Sequence, residues 1–353
     1  MKVKVLFFIP GNAGGAERMA LTVLKILRDY DFEVEIALVC NQIGTIGNFL
    51  PDNVVCHHIK IRNIWDFTAL KIAMLIRKVC PDVVYGPMCY LNPHIILGAK
   101  LSMKSPRIVV RNDNSISYFG KFEQRLMKYT YKYVDKVIAQ QNEMKEDIHQ
   151  NLNIDNSIII VLQNPVDKKL IDEKIKEENP FSEKDFTTKY VQVSRVSDDK
   201  GLDVLLKAFK IVHSENPQTS LHIVGAYSEN DSYYMGLQQY IQSNKLNECV
   251  KFVGFVNNPY KWIKNSNCLV LASRREGLPN VLIEAMYIGI PVVATKCIPI
   301  IDRIVRNGEN GLLVPTDDVK GLARAMLDSL SLKKCTFSYQ PASEEDFIKV
   351  FKG

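Results

Sequence analysis

The chain has 353 residues, 46% hydrophobic and 24% charged, with a formal net charge of +6. That length suits two domains, and so much apolar side chain excludes intrinsic disorder over most of it. No uninterrupted apolar run approaches the roughly 18 residues of a spanning helix. The opening run Met1–Pro10 is too short in its apolar part for a signal peptide and lacks a small-residue cleavage site, so a cytoplasmic protein is expected.

Strand-like and helix-like segments alternate from the start. A Val-rich run at 2–9 meets the loop Pro10-Gly11-Asn12-Ala13-Gly14-Gly15, followed by a helical pattern at 16–29. Further strands are expected at 33–40, 54–59, 82–86, 107–111, 136–140 and 157–162, with helices at 66–79 and 121–133. The strands are continuous apolar runs, as a parallel sheet covered on both faces requires. Asn164-Pro165-Val166-Asp167 and the charged stretch 168–187 mark a junction, after which the alternation restarts. Strands follow at 189–194, 220–225, 250–254, 268–272, 291–295 and 311–314, and helices at 202–214, 233–245, 259–265, 279–288 and 317–329. The tail ends in a helical pattern at 343–351. The fold class expected is α/β, with two Rossmann-like doubly wound domains at 1–165 and 166–330 facing across a cleft. A tail at 331–353 would pack back on the first domain.

Two compositional features need a reading. The eight cysteines at 40, 56, 80, 89, 249, 268, 297 and 335 include no C-x-x-C pair and read as small buried hydrophobes, neither a disulfide frame nor a zinc site. Between Lys60 and Lys136 fourteen Lys and Arg oppose five Asp and Glu, interleaved with Trp65, Phe67, Tyr118, Phe119, Phe122, Tyr129, Tyr131 and Tyr133. Such a stretch suits an anionic membrane surface or a polyanion; a solvated face over core aromatics is the alternative.

Three loops carry chemistry. Gly11-x-x-Gly14-Gly15 joins a strand to a helix, where backbone N–H groups and the helix dipole attract anions. It is not G-x-G-x-x-G, and the second strand ends at Val39-Cys40-Asn41 with no acid for a ribose, so a nicotinamide dinucleotide is a poor fit. In Ser194-Arg195-Val196-Ser197-Asp198-Asp199-Lys200-Gly201, Arg195 offers a planar fork and Lys200 a point charge, a pair suited to a diphosphate; a solvated turn is the alternative. In the segment 273–286 a strand runs into a helix that Pro279 would open. Glu276 precedes that helix, and Glu284 lies on it among Val281, Leu282, Ile283, Ala285 and Met286. A carboxylate in such company needs a partner, for which the hydroxyl pair of a ribose is a candidate and a neighbouring loop the alternative.

Glu276-x7-Glu284 within EGLPNVLIEAMYIGIPVVAT resembles the signature of retaining glycosyltransferases of family 4, which have the GT-B fold. GGAER at 14–18, NPVD at 164–167, SRVSDDKG at 194–201 and NGENGLLVP at 307–315 extend the resemblance over most of the chain. The resemblance implies a metal-independent, retaining hexosyltransferase with no cofactor, whose donor is a nucleotide sugar, UDP favoured over GDP. It implies that Glu276, with the backbone of Gly277 and Leu278, holds the transferred sugar and that Glu284 binds the ribose. Arg195 and Lys200 would neutralise the diphosphate, Gly14 and Gly15 would approach the donor phosphates or the acceptor, and Phe255 and Val256 lie in the base-contact loop. No D-x-D metal motif occurs where the chemistry would use one. Many relatives carry a histidine where this chain has Arg111-Asn112-Asp113-Asn114, and Asp113 is the substitute expected.

Sequences of this type are similar to enzymes of bacterial capsule, O-antigen and lipid-linked oligosaccharide synthesis. The acceptor implied is a polyprenyl-diphosphate saccharide at the inner leaflet, with the stretch 60–136 as a docking face and no nucleic acid as partner. A sugar-nucleotide epimerase or a phosphorylase on the same scaffold, or a non-catalytic module binding a nucleotide sugar or polysaccharide, are the other readings.

Overall fold

The computed structural model describes residues 2–182, 186–332, 337 and 339–352. The chain divides into two compact units, Met1–Pro165 with Gln340–Gly353, and Val166–Tyr339.

In the first unit β1 (Lys4–Pro10), α1 (Gly15–Asp29), β2 (Glu33–Cys40), β3 (Val55–Lys60), α2 (Thr68–Val79), β4 (Val83–Gly86), α3 (Asn92–Leu101), β5 (Arg107–Arg111), α4 (Lys121–Thr130), β6 (Lys136–Ala139), α5 (Asn142–Leu152) and β7 (Ile159–Val161) follow in order. All seven strands pair in parallel, in the spatial order β3-β2-β1-β4-β5-β6-β7. The pleat of β1 divides the interior. Leu6 and Phe8 join a core with residues of α2, α3, α4 and α5, whereas Val5, Phe7 and Ile9 join one with α1. Both faces are therefore buried, which is why the strand reads as an unbroken apolar run.

The second unit contains α6 (Lys168–Lys174), β8 (Thr188–Val193), α7 (Leu202–Glu215), β9 (Thr219–Val224), α8 (Ser232–Ser243), β10 (Val250–Gly254), α9 (Tyr260–Lys264), β11 (Cys268–Leu271), α10 (Asn280–Ile288), β12 (Val292–Thr295), α11 (Pro299–Ile304), β13 (Gly311–Val314) and α12 (Val319–Ser329). Its six parallel strands run in the order β10-β9-β8-β11-β12-β13. One face packs on α7, α8 and α12, the other on α9, α10 and α11. This unit runs on to Tyr339, past the boundary expected at 330, because Tyr339 is buried in its core and Phe337 meets the rings of Tyr287 and Tyr339.

The last helix, α13 (Glu344–Lys352), returns to the first unit. Phe347, Ile348, Val350 and Phe351 join the α1-side core, and Phe351 stacks on Phe7 and meets Tyr85 edge-on at 5.2 Å. Ser343 and Asp346 close its N-terminus by reciprocal hydrogen bonds, and acids in the first turn with Lys349 and Lys352 in the last complement the helix dipole.

The cysteine expectation needs correction at two positions. Cys89, Cys249 and Cys268 are buried, but Cys56 and Cys80 are exposed. Cys56 lies on the edge strand β3, and Cys80 ends α2 with a positive φ of 48°. Cys335 lies outside the described residues.

Candidate active site

In a doubly wound sheet the strand order reverses at one point, and loops leaving the two strands there part to opposite faces, which opens a crevice at their carboxyl ends. In the second unit that point lies between β8 and β11. The loop after β8 carries Arg195 and Lys200, and the loop after β11 carries Glu276. The structure brings the last two together: Lys200 Nζ donates to Glu276 Oε1 at 2.9 Å, and Ser273 Oγ donates to the same oxygen at 2.6 Å. Both side chains are largely shielded, 15% exposed for Lys200 and 11% for Glu276.

Close backbone packing builds this crevice. Gly201 caps α7 at φ +61°, and a Cβ there would lie 2.1 Å from the carbonyl oxygen of Ala272, in the partner loop. Gly225, after β9, passes Ser194 as tightly, at 1.9 Å for the same construction. Only glycine satisfies either position. Buried Gln192 donates to the Lys200 carbonyl at 3.2 Å, and Thr295 Oγ1 donates to the Ser273 carbonyl at 2.5 Å.

The other expected residues take distinct settings. Arg195 is exposed at the start of its loop. Gly277 is partly buried, and Leu278 is buried in the core under α10. Pro279 stands one place outside α10, with ψ 84°, and not in its first turn as expected. Glu284, one turn into α10, accepts from the Tyr260 hydroxyl at 3.2 Å. Phe255 and Val256 follow β10, both partly buried, Val256 against the α10-side core.

Asp199 sits beside Lys200, at 3.7 Å. Burial works against its charged form, but a hydrogen bond from Ser197 and the charges of Lys200 and Arg195 outweigh it and hold the carboxyl below its usual range. The Cys297 thiol is pushed up to about 12 by burial, with the Glu276 charge adding to the effect and Lys200 opposing it. It stays a neutral thiol at physiological pH.

Arg274 is the residue that the sequence reading passed over. Its guanidinium holds both carboxylate oxygens of Asp203 at 2.9 and 2.8 Å, Asp317 Oδ1 at 2.7 Å, and both the carbonyl and the carboxylate of Asp198. Nothing in the spacing signals partners so far away along the chain.

In the first unit the corresponding reversal lies between β1 and β4. Gly14 caps α1, and its N–H donates to Glu17 Oε2 at 3.0 Å. An acidic side chain of the helix itself therefore holds the N–H that was expected to face an anion, and Gly15 begins the helix. Asp113, beyond β5, accepts from the Cys89 N–H at 2.9 Å and so joins the loop after β4. Tyr90 in that loop is 45% exposed, but desolvation of its hydroxyl end raises the phenol pKa, and the charges of Glu17 and Asp113 raise it further. Two quoted motif residues prove structural: Asn164 accepts from the buried Arg111 at 2.6 Å, and Asp167 caps α6. Among the described residues no group of three or more His, Cys, Asp or Glu is arranged to hold a metal ion.

The family model for glycosyl transferases group 1 matches residues 171–344, and that for glycosyltransferase family 4 matches residues 13–170. An uncharacterised glycosyltransferase of Methanocaldococcus jannaschii is 30% identical over 272 residues, 71% of this chain and 66% of that protein. The N-acetylgalactosamine-N,N'-diacetylbacillosaminyl-diphospho-undecaprenol 4-alpha-N-acetylgalactosaminyltransferase of Campylobacter jejuni is 26% identical, with 98% of this chain and 95% of that protein covered. Among solved structures, Anabaena HepE in complex with UDP-glucose superposes with a TM-score of 0.79 at 21% identity, covering 92% of this chain and 89% of that one. That likeness shows the fold, GT-B.

Proposed function

This chain belongs to the group 1 and family 4 glycosyltransferases, and from that membership we propose that it moves a hexose from a UDP-sugar to a polyprenyl-diphosphate-linked saccharide, with retention of configuration. The observation that carries the reading is the pairing of Lys200 with Glu276 at the reversal point of the second sheet. Cationic and anionic groups stand together where a diphosphate and a sugar would lie side by side.

On this reading Lys200 and Arg195 take the charge that grows on the leaving diphosphate as the bond from the anomeric carbon to the phosphate oxygen breaks. Glu276 holds hydroxyls of the transferred sugar, beside the backbone N–H groups of Gly277 and Leu278, and Glu284 holds the ribose with Tyr260 at its back. The acceptor oxygen bonds to the anomeric carbon from the face that the phosphate leaves, and its proton passes to the departing phosphate oxygen. Two side-chain cations and no metal serve the diphosphate. Asp113 and Tyr90, on the first unit, are the acceptor-side groups.

The UDP preference follows the HepE complex, and the lipid-linked acceptor follows the name of the Campylobacter relative. A membrane-facing surface suits such an acceptor. Trp65, Phe67, Leu70 and Met74 around the start of α2, and Phe122 and Tyr129 on α4, are exposed. The rings of Trp65 and Phe122 meet at 5.6 Å, which joins the segment leading into α2 to α4. Lys121, Arg125, Lys128 and Lys132 are exposed alongside. We assign this patch to the inner face of the cell membrane.

Calorimetric titration with UDP, GDP and ADP tests the donor. Micromolar binding of UDP, weakened in both Glu284→Ala and Lys200→Ala, is the expected result. A folded protein that binds none of the three would overturn the reading.

A further inference from the structure

The Lys200 turn is held by the side chains of Arg274 and Gln192 and by the backbone N–H groups of Arg274 and Arg275. Residues 198–200 form one short turn between β8 and α7, and each is pinned. Asp198 is held through its carbonyl, at 2.8 Å, and its carboxylate, at 3.1 Å, by Arg274 Nη1. The Asp199 carbonyl accepts from the backbone N–H groups of Arg274 and Arg275 at 2.8 and 3.3 Å. The Lys200 carbonyl accepts from Gln192. Arg274 also fastens the first turn of α7 through a two-point contact with Asp203 and the turn before α12 through Asp317.

Arg274 is not itself an anion receptor. Its nitrogens face three carboxylates, from Asp198, Asp203 and Asp317, a surplus of negative charge that repels a phosphate. Hydrogen bonding by Asp203 holds the guanidinium well above its ordinary pKa, although burial opposes this. Its work is therefore geometric. A lysine on four flexible carbons loses much rotational freedom when fixed, and a cation already placed where charge develops needs no reorganisation during the reaction.

We infer that Arg274 is a positioning residue for the donor site: it fixes the turn that aims Lys200, and it acts on nucleotide binding through Lys200 alone. This rests on the donor-site reading above.

A double-mutant cycle with UDP as probe tests it. Arg274→Ala should weaken UDP binding by about tenfold in the otherwise native chain, within the range of couplings between residues of one network. In the Lys200→Ala background the same change should cost less than about twofold, because the residue it positions is gone. Equal losses in the two backgrounds would mean general destabilisation of the unit and overturn the inference, as would unaltered binding by Arg274→Ala. Should Arg274→Ala fail to fold, Arg274→Lys takes its place. That variant keeps the charge but has no planar fork for Asp203, and the same dependence on Lys200 is expected. Native protein that binds no nucleotide removes the donor-site reading and this inference with it, an outcome separate from native binding that Arg274 does not modulate.

Discussion

At the scale of single residues, Lys200 and Glu276 occupy each other. Each is assigned to a different part of the donor, yet the two form a shielded ion pair with Ser273 as a third member. Donor binding on this assignment is an exchange, in which Lys200 leaves a carboxylate for a phosphate and Glu276 leaves an ammonium for sugar hydroxyls. Removing the carboxylate's charge should therefore separate two quantities that ordinarily fall together. Glu276→Gln frees Lys200 and should bind UDP, which has no sugar, up to about tenfold tighter, a gain of about 1.4 kcal/mol. The same variant should lose sugar transfer by about 100-fold or more, the usual scale for removing one group aimed at the transition state. Calorimetry and a transfer assay on one preparation measure both. Weaker UDP binding would show that Glu276 helps Lys200 and does not compete for it.

At the scale of elements, the crevice depends on backbones that touch. Gly201→Ala places a Cβ at φ +61° and 2.1 Å from a carbonyl oxygen, and should cost about 2 kcal/mol or more in denaturant unfolding, since strain and a clash combine. A cost under 0.5 kcal/mol would mean that the loop after β11 moves freely, contrary to its bonding. The contact between Arg274 and Asp203 sets a pH dependence. Burial works against the Asp203 carboxylate, but hydrogen bonds from Arg274 and Tyr233 outweigh it and hold its folded pKa below the usual value. A depressed carboxylate contributes stability that is complete above the unfolded pKa, about 3.9, and is lost as the pH falls through the folded value. The melting-temperature gap between native protein and Arg274→Ala should thus be full at pH 7 and shrink below about pH 4. A gap independent of pH would exclude an ionic origin.

The strands β2, β5, β10 and β13 have the bounds that their apolar runs predicted. The helix α3 was missed because it is buried on nearly all sides and carries Pro93 and Gly98, so no polar face gives it a period. The helix α5 was missed for the opposite reason: only Met144, Ile148 and Leu152 are buried, one residue per turn. Lys200 and Glu276 could be read from their loops because glycine, charge and position coincide there. Arg274 could not, since its function lies in Asp203 and Asp317, which only the folded sheet brings near.

At the scale of the whole molecule, sequence composition marked the stretch 60–136 as basic and aromatic, but not which side chains face outward. Arg111 and Tyr131 proved to be interior, Arg111 2% exposed and bonded to Asn164, while Trp65 and Phe122 meet at the surface. Binding to vesicles containing anionic lipid should fall steeply between low salt and about 0.5 M, where exposed charges are screened beyond a few ångströms. Trp65→Ala with Phe122→Ala should reduce it further at every salt concentration. Sedimentation with vesicles measures both, and partitioning that ignores salt and both rings would remove the patch from consideration.

The return of α13 to the first unit has a consequence for synthesis on the ribosome. The core around Phe7 and Tyr85 is closed by Phe347 and Phe351, which are translated after every residue of the second unit. The half of the protein made first therefore lacks its closing helix until the second unit has been translated. Until α13 arrives, an apolar groove beside α1 stays open on the nascent chain, and it is there that a chaperone would find its hold.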